Sequence, residues 1–331
     1  MTTSRNRDEP LLNLVSYGRH GPGRVDRLSP AQVEQIARTV RRVPEVMVKV
    51  SGGGTSPKAV AAHLRYIDRH GKLELELDNG ELLKGKGSEV DLADEWDLEA
   101  DAAEAGSPYG GKPGRKAAKL AHNIVLSMPA GTPPDRLLAA SRAFAREQFA
   151  LKHRYAMVLH TDQDHPHVHL VLKAISEQGE RLNVRKATLR GWRHEFARHL
   201  RDQGVEANAT ERAVRGACRT RKSDGIYRAT LRGASTHTRM RVEAVANELK
   251  NGHEGIEAGK AKLVQTRGDI ERGWRQVARR LEAEGHQALA IQVNSFVGQL
   301  PSPKTERDMI AHALIERVRD RHAKERPEVT R

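Results

Sequence analysis

Three short stretches, 122–128, 154–160 and 167–175, carry apolar residues at the density and spacing of strands. In "HVHLVLKAI" (167–175) two histidines alternate with Val168, Leu170 and Leu172, the period of a strand with one face in a core. "EVMVKV" (45–50) has the same character, and residues 72–87 read as a hairpin closed at Asn79-Gly80. Elsewhere the period becomes helical. "SPKAVAAHLRYIDRHG" (56–71) opens on Ser-Pro, places Val60, Leu64 and Ile67 on one stripe and stops at Gly71. A second amphipathic helix spans Asp135 to about Ala150 with Leu138, Phe144 and Phe149, and a basic helix covers about 188–203. "SGGGT" (51–55) breaks the first strand before its helix. Strands mixed with hairpins and helices, without regular βαβ alternation, predict an α+β fold: a mostly antiparallel central sheet flanked by helices.

The flanks differ. Residues 1–42 are polar and basic and read as a partly ordered N-terminal arm with one short helix opened by Ser29 and Pro30. The acidic stretch 90–104 and the Gly/Pro/Lys-rich 106–116 read as a mobile excursion. After about residue 235 strand patterns give way to helical ones. These shifts divide the chain into an arm (1–42), a sheet domain (43–230) and a mainly helical C-terminal region (231–331).

Charge then narrows the partner. The formal net charge is +14, with 30% charged and only 4% aromatic residues. Such a balance favours a polyanion, and nucleic acid over a membrane surface. No apolar run has the length of a bilayer span and the start lacks an apolar signal core, so a cytoplasmic protein is expected. Cys218 is the single cysteine, which leaves any metal to histidine and carboxylate.

The candidate chemistry concentrates in "HTDQDHPHVHL" (160–170). His167 and His169 share a strand face, and the short turn before them folds His160 back beside the pair. Three neutral nitrogen donors with coordination positions left open suit a catalytic ion. Asp162 and Asp164 are placed to orient the imidazoles or supply an oxygen, while His165 points to the other side. A metal-dependent hydrolase fits these residues too. Tyr66 adds an oxygen nucleophile on the early helix, among His63, Arg65, Arg69 and His70, although a phenol ionises only well above neutral pH and needs activation. The plain alternative is a tyrosine ring packed on the sheet. Tyr155 lies inside a strand, and Tyr17, Tyr109 and Tyr227 lack the matching context. Gly52, Gly53, Gly54 and Thr55 offer backbone amides that could cradle a phosphate. Arg65, Arg69, Arg185, Lys186, Arg212 and Arg215, with Lys112, Arg115 and Lys116, are candidate backbone contacts for nucleic acid. Trp192 reads as a packing anchor and not a stacking platform.

The order of "VKVSGGGTSPKAVAAHLRYIDRHGKLEL", "NIVLSMPAGT", "HTDQDHPHVHLVL" and "LRGWRHEFARHLRDQGVEANATERAVRG" resembles relaxases of the MOBP class across residues 45 to 216. These nicking enzymes serve conjugative and mobilisable plasmids and are related to the T-DNA border endonuclease. The resemblance implies an HUH-type endonuclease domain. Tyr66 would attack a phosphodiester at an origin of transfer to leave a 5′-phosphotyrosyl link. His160, His167 and His169 would hold Mg²⁺ or Mn²⁺, with Asp162 in the activating network; His160 is open to the role of ligand or of proton acceptor. Implied partners are the hairpin and adjoining single strand of a plasmid origin of transfer (oriT), relaxosome accessory proteins and a type IV coupling protein, with passage to a recipient cell bound to DNA. The basic end "RVRDRHAKERPEVTR" resembles a type IV secretion signal. An HUH replication initiator or transposase shares the chemistry; a DNA-binding protein without catalysis needs neither Tyr66 nor the histidines.

Overall fold

In a computed structural model of the protein, the described residues are 27–105, 118–217, 224–252, 257 and 259–324. Helix α1 (Pro30–Val40) leads into strand β1 (Met47–Gly52), helix α2 (Pro57–Ile67) and the hairpin β2 (Leu75–Leu77) and β3 (Leu82–Leu83). Helices α3 (Ser88–Glu95) and α4 (Leu98–Ala105) follow, then β4 (Ala121–Ser127), α5 (Pro134–Phe149), β5 (Tyr155–His160), β6 (His167–Lys173) and α6 (Lys186–Asp202). The remaining elements are helices: α7 (Asp224–Leu231), α8 (Thr236–Lys250), α9 (Lys260–Ala283), α10 (Gln287–Gly298) and α11 (Glu306–Lys324). Two units emerge, one holding residues 41–209 and the other joining α1 to the chain from residue 210 onward.

The first unit is a six-stranded sheet in the order β1-β4-β6-β5-β2-β3, antiparallel throughout. The expected α+β architecture is what forms. Gly80 takes φ 86° in the turn between β2 and β3, a left-handed value that glycine adopts without a Cβ clash. Alternation along the strands builds a core on each face. Ile124, Leu126, Met157, Val168, Leu170 and Leu172 pack with Phe144 and Phe149 of α5 and Trp192 and Phe196 of α6. Within α5 it is Leu137 that is fully buried, with Leu138 only partly so. Opposite, Ala156, Val158 and Val171 pack with Val60, Leu64 and Ile67 of α2.

The acidic stretch expected to be a mobile excursion instead closes this second core. Leu92, Trp96 and Leu98 are at most 1% exposed, so α3 and α4 bury a few large apolar side chains, and of their carboxylates Glu89 and Asp101 are buried as well. Residues 106–116, read with it, lie outside the described residues. The short helix assigned to the basic arm also has a packing role: Ile36 and Leu28 share a core with Trp274, Val277, Leu281 and Val293. The contact boundary falls between residues 209 and 210, ahead of the boundary near 230 expected from composition. In the helical unit the Trp274 indole donates to the Val214 carbonyl at 2.9 Å, and Arg267 donates to the Gly216 carbonyl at 2.7 Å. Among the described residues no helix is long and apolar enough to cross a membrane.

Candidate active site

The β5–β6 register decides where the imidazoles sit. His160 pairs directly across from His167, and His169 lies two residues further along opposite Val158. All three therefore project on the sheet face covered by α2, while Val168 and Leu170 anchor the strand in the opposite core. Ring centroids are 4.5 Å apart for His160 and His169, 5.0 Å for His167 and His169, and 5.2 Å for His160 and His167. One nitrogen from each ring lies within 4.8 Å of the others.

Hydrogen bonding fixes two of the tautomers. His160 Nε2 is 2.6 Å from the Ile67 carbonyl oxygen, an acceptor only, so Nε2 carries the hydrogen and Nδ1 keeps the lone pair. His167 Nδ1 donates likewise to the His165 carbonyl at 3.1 Å, leaving Nε2 with its lone pair. His169 Nδ1 is buried with no hydrogen-bond partner among the described residues. Burial, then repulsion from His160 and His167, holds the His169 imidazole down at about 3, and burial also lowers His160. These rings stay neutral where a cation needs lone pairs. The donor set, one buried orphan nitrogen included, fits a divalent ion with open coordination positions.

Helix α2 delivers the phenol to the same face. Ser56 caps it by accepting from the Ala59 amide at 3.2 Å, and Pro57 starts its first turn. Val60, Leu64 and Ile67 dock on the sheet, which turns Tyr66 off the buried stripe and leaves it 57% exposed. Its neighbours at i−3 and i+3 link it to the histidines. The His63 ring stacks on Tyr66 with centroids 6.2 Å apart and meets His169 edge-on at 6.3 Å. The Arg69 guanidinium carbon is 5.4 Å from the Tyr66 ring centre, and its Nη2 is 3.3 Å from His160 Nδ1. Arg69 also pairs with the Asp162 carboxylate. Partial burial opposes charge on Arg69, but hydrogen bonds to Tyr66 and Asp162 outweigh it and raise its pKa above the ordinary value.

The chain reverses here in an unusual way. Arg69, His70 and Gly71 take φ values of 56°, 61° and 80° in succession. Two non-glycine residues in the left-handed region cost about 1–2 kcal/mol each, a strain the surrounding contacts must hold. Gly71 has a packing reason as well, since a Cβ there would meet the Gly85 carbonyl carbon at 2.6 Å.

Tyr66, His160, His167, His169 and Asp162 thus fall on one site, joined by Arg69. Asp162 bonds to Arg69 and not to an imidazole, and Asp164 is exposed. His63 was legible as a neighbour of Tyr66, yet its contact with His169 depends on tertiary packing. Arg65 lies on α2 and pairs with the buried Glu89 carboxylate at 2.5 Å. Arg185 and Lys186 are exposed at the start of α6, while Arg212 and Arg215 belong to a turn in the helical unit. Lys112, Arg115 and Lys116 lie outside the described residues, as do Tyr17 and Tyr109. The glycines of "SGGGT" have a packing explanation. A Cβ on Gly53 would meet the Ala121 carbonyl oxygen at 2.4 Å, and one on Gly54 would meet Val60 Cγ2 at 2.5 Å. Thr55 is exposed. Trp192 is 5% exposed with its ring 5.3 Å from Phe149, a packing anchor as expected.

An open antiparallel sheet thus carries the histidine hairpin and the tyrosine helix on one face. Residues 79–205 match the relaxase family described as MobA/VirD2-like, nuclease domain. The matched segment contains all three histidines and begins after Tyr66. Among characterised proteins, the T-DNA border endonuclease VirD2 of Rhizobium radiobacter is 30% identical over 180 residues, covering 50% of this chain and 42% of that protein. Its counterpart in Rhizobium rhizogenes is 30% identical over 176 residues, 50% of this chain and 37% of the relative. That of Agrobacterium fabrum (strain C58 / ATCC 33970) is 29% identical over 190 residues, 50% and 39%. The chain therefore matches about two fifths of each relative's length.

Proposed function

We propose that this protein nicks one strand of DNA at a plasmid origin of transfer by transesterification on Tyr66. The observation that carries the reading is the convergence of an exposed phenol with three clustered imidazoles, connected through His63 and Arg69. The Tyr66 oxygen attacks phosphorus; the new O–P bond forms as the P–O3′ bond breaks. The phenol's proton leaves and the released 3′ oxygen takes one up, giving a 5′-phosphotyrosyl adduct and a free 3′-hydroxyl. One phosphodiester replaces another, so the strand can be rejoined without ATP.

His160, His167 and His169 would hold Mg²⁺ or Mn²⁺. We assign His160 to the ligands because its ring hydrogen is committed to the Ile67 carbonyl and only Nδ1 has a lone pair. Such an ion, when bound, supplies positive charge against a phosphate oxygen as negative charge develops. The imidazoles add no negative charge of their own, which suits modest affinity and exchange among divalent ions. Arg69 restrains the phenol from the guanidinium side and Asp162 restrains Arg69. Arg65, Arg185, Lys186, Arg212 and Arg215 serve as phosphate contacts along an oriT hairpin and its adjoining single strand, so binding weakens steeply with salt. The net charge of +14 supports that electrostatic share. Relaxosome accessory proteins, a type IV coupling protein and delivery into a recipient cell bound to DNA complete the proposed setting.

The test is incubation of the protein with Mn²⁺ or Mg²⁺ and an oligonucleotide spanning a candidate nic site. An adduct that withstands SDS and vanishes in Tyr66→Phe is expected. Cleavage that survives Tyr66→Phe would assign the site to a metal-dependent hydrolase, and DNA binding without cleavage would remove the catalytic reading.

A further inference from the structure

We infer that Arg69 holds the place of the metal ion: its guanidinium and a divalent cation use the same His160 lone pair, and ion binding leaves Arg69 to the Tyr66 and Asp162 contacts it already makes. This rests on the nuclease reading above and adds a positioning residue that couples the phenol to metal loading.

The argument begins at the Ile67 carbonyl. It accepts from His160 Nε2 at 2.6 Å, so an ion can reach His160 only through Nδ1. That atom is occupied, because Arg69 Nη2 donates to it at 3.3 Å. A guanidinium has five N–H donors and no acceptor, so it can neutralise a cluster of lone pairs without quenching them by proton transfer. It is therefore a reversible substitute for a cation. Among the described residues His167 Nε2, the nitrogen left with its lone pair, has no such competitor.

What Arg69 retains after leaving His160 gives the exchange its consequence. The same guanidinium pairs with Asp162 and lies 5.4 Å from the centre of the Tyr66 ring. Asp162 keeps it from departing into solvent, so loss of the His160 contact concentrates its positive charge on the phenol oxygen and on incoming phosphate. A surface arginine that only touched DNA phosphate would need no contact with a ligand nitrogen.

The experiment compares full-length wild type with Arg69→Ala and Arg69→Lys. Mn²⁺ affinity is read by electron paramagnetic resonance without DNA, and adduct yield is measured at saturating Mn²⁺. Removing the competitor tightens Mn²⁺ binding by about three- to tenfold, a figure discounted for solvent screening. The same variant gives less adduct even when saturated. Arg69→Lys, which keeps the charge but reaches one acceptor at a time, lies between the two. Unchanged or weaker Mn²⁺ binding in Arg69→Ala overturns the exchange. If that variant does not fold, long-range ¹H–¹⁵N spectra of the wild type decide. Metal-free His160 should be the Nε2–H tautomer, with its Nδ1 resonance moving on addition of Zn²⁺; movement at Nε2 refutes the proposal. A wild type that forms no adduct but passes the affinity and tautomer tests would sink the nuclease reading and leave the exchange standing.

Discussion

The two faces of the sheet are built from the same strands and are opposite in character. On the α5–α6 side, Phe144 lies 5.8 Å from both Phe149 and Phe196, and Phe149 lies 5.3 Å from Trp192. On the α2 side, polar atoms are buried without partners among the described residues: His63 Nε2, His169 Nδ1, and both carboxylate oxygens of Asp68. Strand β6 serves both, giving Val168 and Leu170 to one face and His167 and His169 to the other. Unsatisfied buried polar atoms cost stability. The aromatic packing therefore offsets the cost of the polar groups clustered at the histidine end, and substitutions on the two faces should separate folding from chemistry.

The largest split is between Tyr66→Phe and Phe144→Ala. The first removes one exposed oxygen, so adduct formation disappears while the urea midpoint stays at the wild-type value. The second empties an aromatic centre that is fully buried and costs about 3–5 kcal/mol. Its adduct yield should track the folded fraction and recover under stabilising conditions, whereas that of Tyr66→Phe should not. Recovery in neither, or a shifted midpoint in Tyr66→Phe, would mean that the faces do not divide the work in this way.

Gly53→Ala comes next, and it sharpens the comparison at the edge of the α2 face. The added methyl would meet the Ala121 carbonyl at 2.4 Å, forcing β4 away from the turn after β1 at a cost of about 1–3 kcal/mol. A packing role predicts lower stability with DNA affinity per folded molecule unchanged. A phosphate-cradling role predicts weaker DNA binding at unaltered stability. Chemical denaturation and fluorescence anisotropy on the same sample distinguish them.

This division was partly legible beforehand. The period of two along 167–173 placed His167 and His169 together and the valine and leucines behind them, because strand alternation is local. The helical stripe of Val60, Leu64 and Ile67 likewise set the docking side of α2, but left Tyr66 open to packing on the sheet, which its exposure excludes. Helices α3 and α4 escaped because aspartates and glutamates outnumber the few large apolar residues, Leu92, Trp96 and Leu98, that fasten them. The place of α1 escaped for another reason. The Leu28 amide before it bonds to Glu284, 256 residues away, and no local pattern encodes such a partner. Arg69 looked like one more surface charge, since neither its left-handed backbone nor its contact with His160 has a signature in the neighbouring residues.

Glu89→Gln should have a smaller effect, confined to the α2 side. The Glu89 carboxylate is 2% exposed and accepts from Arg65 at 2.5 Å and from the Gly87 amide at 3.0 Å. Burial opposes its charge, but its hydrogen bonds, the one to Arg65 among them, prevail and lower its pKa. Losing the charged acceptor costs about 1–2 kcal/mol, visible as a lower urea midpoint. Adduct yield at saturating metal should fall only modestly, because α2 keeps its apolar stripe. A loss as complete as that of Tyr66→Phe would place Glu89 in the chemistry instead.

The smallest effect is a pH dependence that belongs to the histidine side. His169 is held at about 3 by burial first and by His160 and His167 second, against 6.5 for a free imidazole. Between those values the unfolded chain binds a proton at this position that the folded unit does not, so stability rises with pH across the window. The contribution is intact above 6.5, shrinks as pH falls and is lost by about 3. Thermal midpoints measured with a chelator from neutral pH downward should therefore decline, and His169→Gln should flatten that decline while wild-type acid sensitivity persists in Tyr66→Phe. Identical slopes in wild type and His169→Gln would assign the acid sensitivity to other groups and take this imidazole out of the account of what the histidine cluster costs the fold.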